Sequence, residues 1–140
     1  MRPPALDDLG LVGALREQAS RLVLSRAEIR IEAPEPLLPL PAAVEVAAYH
    51  IAQEALANVA RHASARHCTV VLTASEVLTL TVTDDGVGIP AARTAGVGLS
   101  SMRERAEELG GTLVLETALG GGTTVRATLP LGGGAHGRPD

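Results

Sequence analysis

The run Val77-Leu78-Thr79-Leu80-Thr81-Val82-Thr83-Asp84-Asp85-Gly86-Val87-Gly88-Ile89-Pro90 decides how this chain folds. Leu78, Leu80 and Val82 alternate with Thr79, Thr81 and Thr83, the period of a strand with one buried and one wet face. Asp84 continues the apolar phase, so its carboxylate should point into the layer beneath the sheet, while Asp85 should face outward. A buried acid needs a partner. The exocyclic amine of adenine is an apt one, being a neutral donor, and Gly86 and Gly88 would let the backbone pass close to a flat base. Asp-Asp-Gly is also a common turn sequence. The inward phase of Asp84 separates this instance from an ordinary turn.

Working outward, His67 to Ala74 places Cys68, Val70, Leu72 and Ala74 on one face, and a tight Ser75-Glu76 connection predicts a hairpin. Residues 11 to 24 carry Leu11, Leu15 and Leu22 at near-helical spacing, with Asp7 and Asp8 as candidate caps. Glu28 to Ala33 alternates as a strand that the proline-rich Pro34 to Pro41 closes. From Pro41, suited to a first helical position, the chain runs to about Ala63 without Gly or Pro and predicts the principal helix. Beyond a glycine-bearing loop from Gly86 to Gly98, Leu99 to Leu109 predicts a helix that Gly110-Gly111 ends. Leu113 and Leu115, then Val125, Ala127 and Leu129, resume the inward alternation around a Gly120-Gly121-Gly122 turn. Gly132 to Asp140 reads as a disordered tail. The sum is an α+β domain: a two-layer α/β sandwich whose mixed, mostly antiparallel sheet carries helices on one face. Residues 1–25 form a junction and helix, 26–131 the domain proper, and 132–140 the tail.

Composition removes several classes of chemistry. The 140 residues suit one domain, with an aliphatic core, since Tyr49 is the sole aromatic residue. Base stacking on aromatic platforms is therefore disfavoured, and a formal charge of -4 disfavours direct nucleic-acid binding. All twelve basic residues are arginine. A Walker A loop, a protein-kinase third strand and a Schiff-base enzyme each need a lysine that this chain lacks. The single Cys68 leaves no internal disulfide or thiolate cluster, which suits a reducing cytoplasm. Without an apolar run of roughly 18 residues, the sequence predicts no membrane contact, although Met1-Arg2-Pro3-Pro4 reads like an excised start and a parent protein could be membrane-anchored.

Three further groups bear on chemistry. Glu54, Asn58, Arg61 and His62 recur at i, i+4, i+7 and i+8, one stripe of the principal helix. An acid, an amide oxygen and cationic groups in a row suit a magnesium nucleotide; a solvated polar stripe is the alternative. Gly96-Val97-Gly98-Leu99 leads into a helix whose free N–H groups can hold phosphate oxygens, and the short Ala91 to Ala95 could act as a lid. Gly122-Thr123 follows a glycine-rich turn.

Together, Glu54-x-x-x-Asn58, Asp84-x-Gly86-x-Gly88, Gly96-x-Gly98-Leu99 and Gly122-Thr123 resemble the N, G1, G2 and G3 boxes of the Bergerat ATP-binding fold over roughly residues 28 to 130. That superfamily joins histidine kinases to gyrase-type topoisomerases, heat-shock chaperones and mismatch-repair ATPases. Residues 49–63 and 98–106 look like sensor histidine kinases that serve LuxR-type response regulators, and residues 2–11 look like that group's junction between dimerising helices and catalytic domain. A lid phenylalanine found in many other histidine kinases is absent, as in this short-lid group.

The resemblance implies that Asn58 coordinates magnesium, Asp84 reads the adenine amine, and Gly86 and Gly88 shape the base pocket. Gly96, Gly98 and Leu99 would cover the phosphates, and Thr123 would bind near the adenine or α-phosphate. Glu54 would activate or order metal and water, with Arg61 and His62 as phosphate neighbours. The implied activity is that of a histidine protein kinase: Mg-ATP, the cofactors ATP and Mg2+, would donate its γ-phosphate to a histidine on a separate dimerisation domain of the same kinase. Downstream the partner would be a LuxR-type response regulator. The chain alone would bind ATP but lack the acceptor histidine. An anti-sigma-factor-type serine kinase and a non-catalytic nucleotide-responsive binding module are the alternatives.

Overall fold

A computed structural model describes residues 3–21, 28–34, 36–63, 65–86, 98–117 and 121–131, without the side chains of residues 62 and 63. Five strands form one sheet in the order β1-β2-β3-β5-β4: β1 Glu28–Glu32, β2 His67–Ala74, β3 Val77–Asp84, β4 Thr112–Thr117 and β5 Thr123–Pro130. β1 runs parallel to β2, and the other pairings are antiparallel. The mixed sheet agrees with the sequence reading.

Register follows from the apolar faces. Val70 pairs with Val82 and Leu72 with Leu80; across the next ladder Leu80 faces Ala127 and Leu78 faces Leu129. These side chains are buried, while Thr73 and Thr83 on the opposite face are exposed. A two-residue Ser75-Glu76 turn would pair Ala74 with Val77 and put opposite faces together. Instead Ala74 pairs with Leu78, and Ser75 N–H donates to Val77 O at 3.0 Å. Burial of one face overrides the shortest turn, because a one-residue slip would expose the whole apolar set.

Three helices complete the second layer: α1 Pro4–Arg21, α2 Ala42–Asn58 and α3 Leu99–Glu108. α2 and α3 lie against the sheet, and α1 packs on α2 and reaches β1. α2 is alanine-rich so that it can approach closely: Ala48, Ala52 and Ala55 are buried beside Ile51 and Leu56. Burying a Leu or Ile stabilises by about 1.5–3 kcal/mol, which concentrates the stability of the layer on these positions and on Leu72, Leu78, Leu80 and Leu129.

One helix boundary differs from the sequence reading, and the principal helix, which reaches Ala63 as read, changes its winding on the way. α1 begins at Pro4, so Asp7 and Asp8 lie within it rather than capping it, and Gly10 breaks it in two with φ 73° and ψ 175°. A left-handed φ is cheap only for glycine, which is why the interruption falls there. α2 is capped by Pro41 and ends at Asn58, after which Val59–Ala63 continues as a π-helical turn. Residues 22–24 of the expected first helix, the expected lid and the expected tail lie outside the described residues. Among the described residues no helix is long and apolar enough to cross a membrane.

α3 closes with a Schellman arrangement: Gly110 N–H donates to Glu107 O and Gly111 N–H to Ala106 O, both at 2.9 Å. A Cβ on Gly111 would collide with the Thr128 carbonyl of β5. Gly111→Ala should therefore cost about 1–3 kcal/mol, as overpacking typically does. A lowered urea midpoint with an unchanged slope would show it; an unchanged midpoint would refute the close approach.

Candidate functional site

At one end of the sheet the inner-face row reads Cys68, Asp84, Thr123, Thr117, each opposite the next in register across β2, β3, β5 and β4. The alternation that buries Leu78, Leu80 and Val82 carries Asp84 inward, and only 7% of that residue is exposed. Its Oδ1 accepts the Gly86 N–H at 2.8 Å. Burial raises its pKa, and the charge of Asp85 adds to the rise, while the Gly86 N–H opposes it. Thr123 is equally buried, and its Oγ1 has no hydrogen-bond partner among the described residues. Beside the pair opens a cleft of about 730 Å3, lined by Asp84, Asp85, Thr117, Gly122 and Thr123 among others. Gly122 N–H donates to Gly86 O at 2.6 Å, tying the turn before β5 to the end of β3.

α2 brings the other half. Asn58 is buried at its last position, and Glu54 stands one turn earlier, paired with Arg61 at 3.6 Å. Arg61 belongs to the π-helical turn, so the wider winding still lets it reach back to Glu54. Gly98 caps α3 in a left-handed conformation, φ 75°, without a side-chain cap on the first turn. A Cβ there would lie 2.5 Å from the Glu54 carboxylate and would push that side chain aside. Leu99 opens α3 and packs against the core.

The structure thus brings Glu54, Arg61 and Gly98 together, and separately Asp84, Gly86 and Thr123. Asn58 shares the helix with the first group. Gly88 and Gly96 lie outside the described residues, as does the side chain of His62. His50 packs edge-on against Tyr49, ring centroids 5.5 Å apart, and burial with the nearby Arg105 charge lowers its pKa. Sequence reasoning passed over His67, whose ring meets Asp85 (Nδ1 to Oδ2, 2.8 Å). The facing apolar phases of β2 and β3 held that pairing implicitly.

An acid and an amide on a helix laid over a mixed sheet, with a buried aspartate at the sheet's end, is the architecture of a Bergerat-type ATP-binding domain. A family model for histidine kinase-, DNA gyrase B- and HSP90-like ATPases matches residues 43–133, and the chain belongs to that family. Its relatives are sensor histidine kinases. The signal transduction histidine-protein kinase/phosphatase UhpB of Salmonella typhimurium is 36% identical over 93% of this chain and 26% of its own length. The nitrate/nitrite sensor protein NarQ of Escherichia coli is 37% identical over 86% of this chain and 22% of its own length. The chain thus spans about a quarter of the length of these curated relatives. Among solved structures, the histidine kinase domain of the Erythrobacter litoralis EL346 blue-light activated kinase superposes with a TM-score of 0.71 at 25% identity, over 84% of this chain and 59% of that one.

The Cys68 thiol sits on the inner face opposite Asp84, and burial together with the charges of Asp84 and Asp85 pushes its pKa up to about 12. Thiolate is the nucleophilic form. Iodoacetamide at pH 8 should leave the folded chain unlabelled and modify it fully in denaturant, as mass spectrometry would read; rapid labelling without denaturant would contradict this burial.

Proposed function

We propose that the chain binds Mg-ATP with the adenine amine donating to Asp84 and the phosphates lying between α2 and the start of α3, and that it donates the γ-phosphate to a histidine on a separate dimerisation domain of the same kinase. The observation that carries the reading is the buried Asp84 carboxylate facing the Thr123 hydroxyl, which has no hydrogen-bond partner among the described residues, beside an open cleft. A desolvated carboxylate at neutral pH is costly without a donor, and a purine amine supplies one. The kinase names of the relatives support the transfer to histidine over a serine kinase or a purely responsive module.

Magnesium fits the donor set. Glu54 and Asn58, one turn apart on α2, offer carboxylate and amide oxygens, the hard donors this ion prefers. Asn58 would hold the ion, which when bound would neutralise phosphate charge. Glu54, held by Arg61 against Gly98, would order the metal's water or act as a base toward the acceptor imidazole. Uncapped N–H groups at the start of α3, with Gly96, Gly98 and Leu99, would hold phosphate oxygens, the role a lysine plays elsewhere. Arg61 and His62 would flank them, and Gly86 and Gly88 would floor the base pocket. Catalysis on this reading is positioning and charge stabilisation. Residues 26–131 serve as the nucleotide-binding unit and 1–25 as its junction to the acceptor domain. The setting is cytoplasmic, and the downstream partner is a LuxR-type response regulator.

Titration calorimetry tests the site. Asp84→Asn should weaken ATP binding about 10- to 100-fold, the worth of a ~1.5–3 kcal/mol hydrogen bond to a charged group. The same variant should be at least as stable as the parent at pH 7, because a carboxyl whose folded pKa is raised contributes stability below pH 3.8 that is lost as pH rises through that pKa. Asn58→Ala should chiefly abolish the magnesium dependence. Unchanged affinity in both variants would sink the site.

For the activity, radiolabelled ATP should transfer phosphate only when a dimerisation domain bearing the acceptor histidine is added. Label on this chain alone would refute that division of labour.

A further inference from the structure

We propose that Asp85 is a positioning residue for base recognition: its carboxylate, clamped to Arg66 and His67 where β2 begins, holds Asp84 in register to read the base without itself touching it. The inference rests on the adenine reading of Asp84 given above.

Asp85 faces outward and its side chain is half exposed, yet its carboxylate meets two backbone N–H groups and an imidazole nitrogen. Its Oδ1 accepts the backbone N–H groups of Arg66 and His67, each at 2.9 Å, and its Oδ2 meets His67 Nδ1 at 2.8 Å. Its own N–H donates to His67 O at 3.1 Å. Three donors on one carboxylate keep it ionised, with its pKa lowered to about 2. β1 joins the same knot: Glu28 N–H donates to Arg66 O at 2.8 Å, and Glu28 Oε1 lies 3.6 Å from His67 Nε2.

The consequence lies in what flanks Asp85. Asp84 precedes it directly, and Gly86 follows, its N–H donating to Asp84 Oδ1 and its carbonyl accepting from Gly122 N–H. The three residues are therefore held from both sides, by β2 through Asp85 and by the turn before β5 through Gly86. Within Asp84–Gly86, Asp85 is the residue whose side chain anchors the segment to β2. A hydrogen bond is steep in distance and angle, so a shift of the backbone here degrades a single reading contact before it disturbs the core. The surface side chain thus governs a specificity contact on the opposite face of the sheet.

The test is the preference of the full chain for ATP over GTP, measured by calorimetry with magnesium, with inorganic tripolyphosphate as a probe without a base. Asp85→Ala should lower ATP affinity about tenfold, narrow the ATP-to-GTP ratio by a similar factor and leave tripolyphosphate binding within twofold. Asp85→Asn, which can still accept both backbone N–H groups, should recover most of the preference. His67→Ala, which removes only the ring contact, should narrow the ratio about threefold, and it supplies the same readout if Asp85→Ala does not fold. Asp84→Asn serves as reference. If it collapses the preference while neither Asp85→Ala nor His67→Ala changes it, the positioning role is overturned and the base reading stands. If Asp84→Asn leaves the preference intact, the base reading falls and this inference with it. An equal loss for ATP, GTP and tripolyphosphate in Asp85→Ala would make the clamp merely structural and overturn the proposal.

Discussion

The alternation of β3 is the constraint on which the molecule turns. Leu78, Leu80 and Val82 must all face the helices, because each is wholly or nearly wholly buried and neighbours in two ladders meet them there. Once that phase is set, Asp84 has no choice of side. A slip that exposed the carboxylate would expose three aliphatic side chains with it, at roughly 1.5–3 kcal/mol each, more than the desolvation of one partly bonded acid asks for. The apolar strand therefore holds a charged group where an isolated charge would not settle. The same register brings Thr123 and Cys68 to its two sides.

Much of this was legible in the chain itself. The two-residue period of β2 and β3, the glycine pair ending α3 and the glycine-free run of α2 are local patterns, and local patterns survive translation into structure. The inward phase of Asp84 and the outward phase of Asp85 belong to the same class. Less legible were features set by contacts between distant segments. Nothing in Val59-Ala60-Arg61 announces a π-helical turn, and the leucine spacing from Leu11 onward did not reveal that α1 starts at Pro4 and breaks at Gly10. The Ser75-Glu76 connection lies where the sequence reading puts it, and the facing apolar sets decide the register across it. Had the register been taken from those faces, His67 and Asp85 would have fallen opposite one another.

The helix layer solves a second problem, that of approach. A Cβ at position 98 would displace the Glu54 carboxylate, and Gly98 is in any case held at a positive φ that other residues resist. Gly111 plays the matching part at the other end of α3, against the β5 backbone. One helix is thus fitted at both ends by glycines with different reasons for being there. Only the first borders the proposed nucleotide site, so the two glycines stand in different relations to the function proposed for the chain.

Asp84 and Asp85 show how adjacent residues of one type divide into opposite electrostatic roles. Burial pushes the first carboxyl's pKa upward, and three N–H donors pull the second's down to about 2. The second is satisfied within the protein and adds to its cohesion. Among the described residues the first accepts a single backbone N–H, on Oδ1, and stands beside a hydroxyl that has no hydrogen-bond partner there. A fold selected for stability alone would place an apolar residue at position 84, where every neighbour on that face is aliphatic or small. Retaining an acid there lowers stability at neutral pH and leaves an acceptor and a hydroxyl for something that brings its own donors. That deficit, maintained by a strand that cannot turn it outward, is the physical argument that the cleft is built for a ligand.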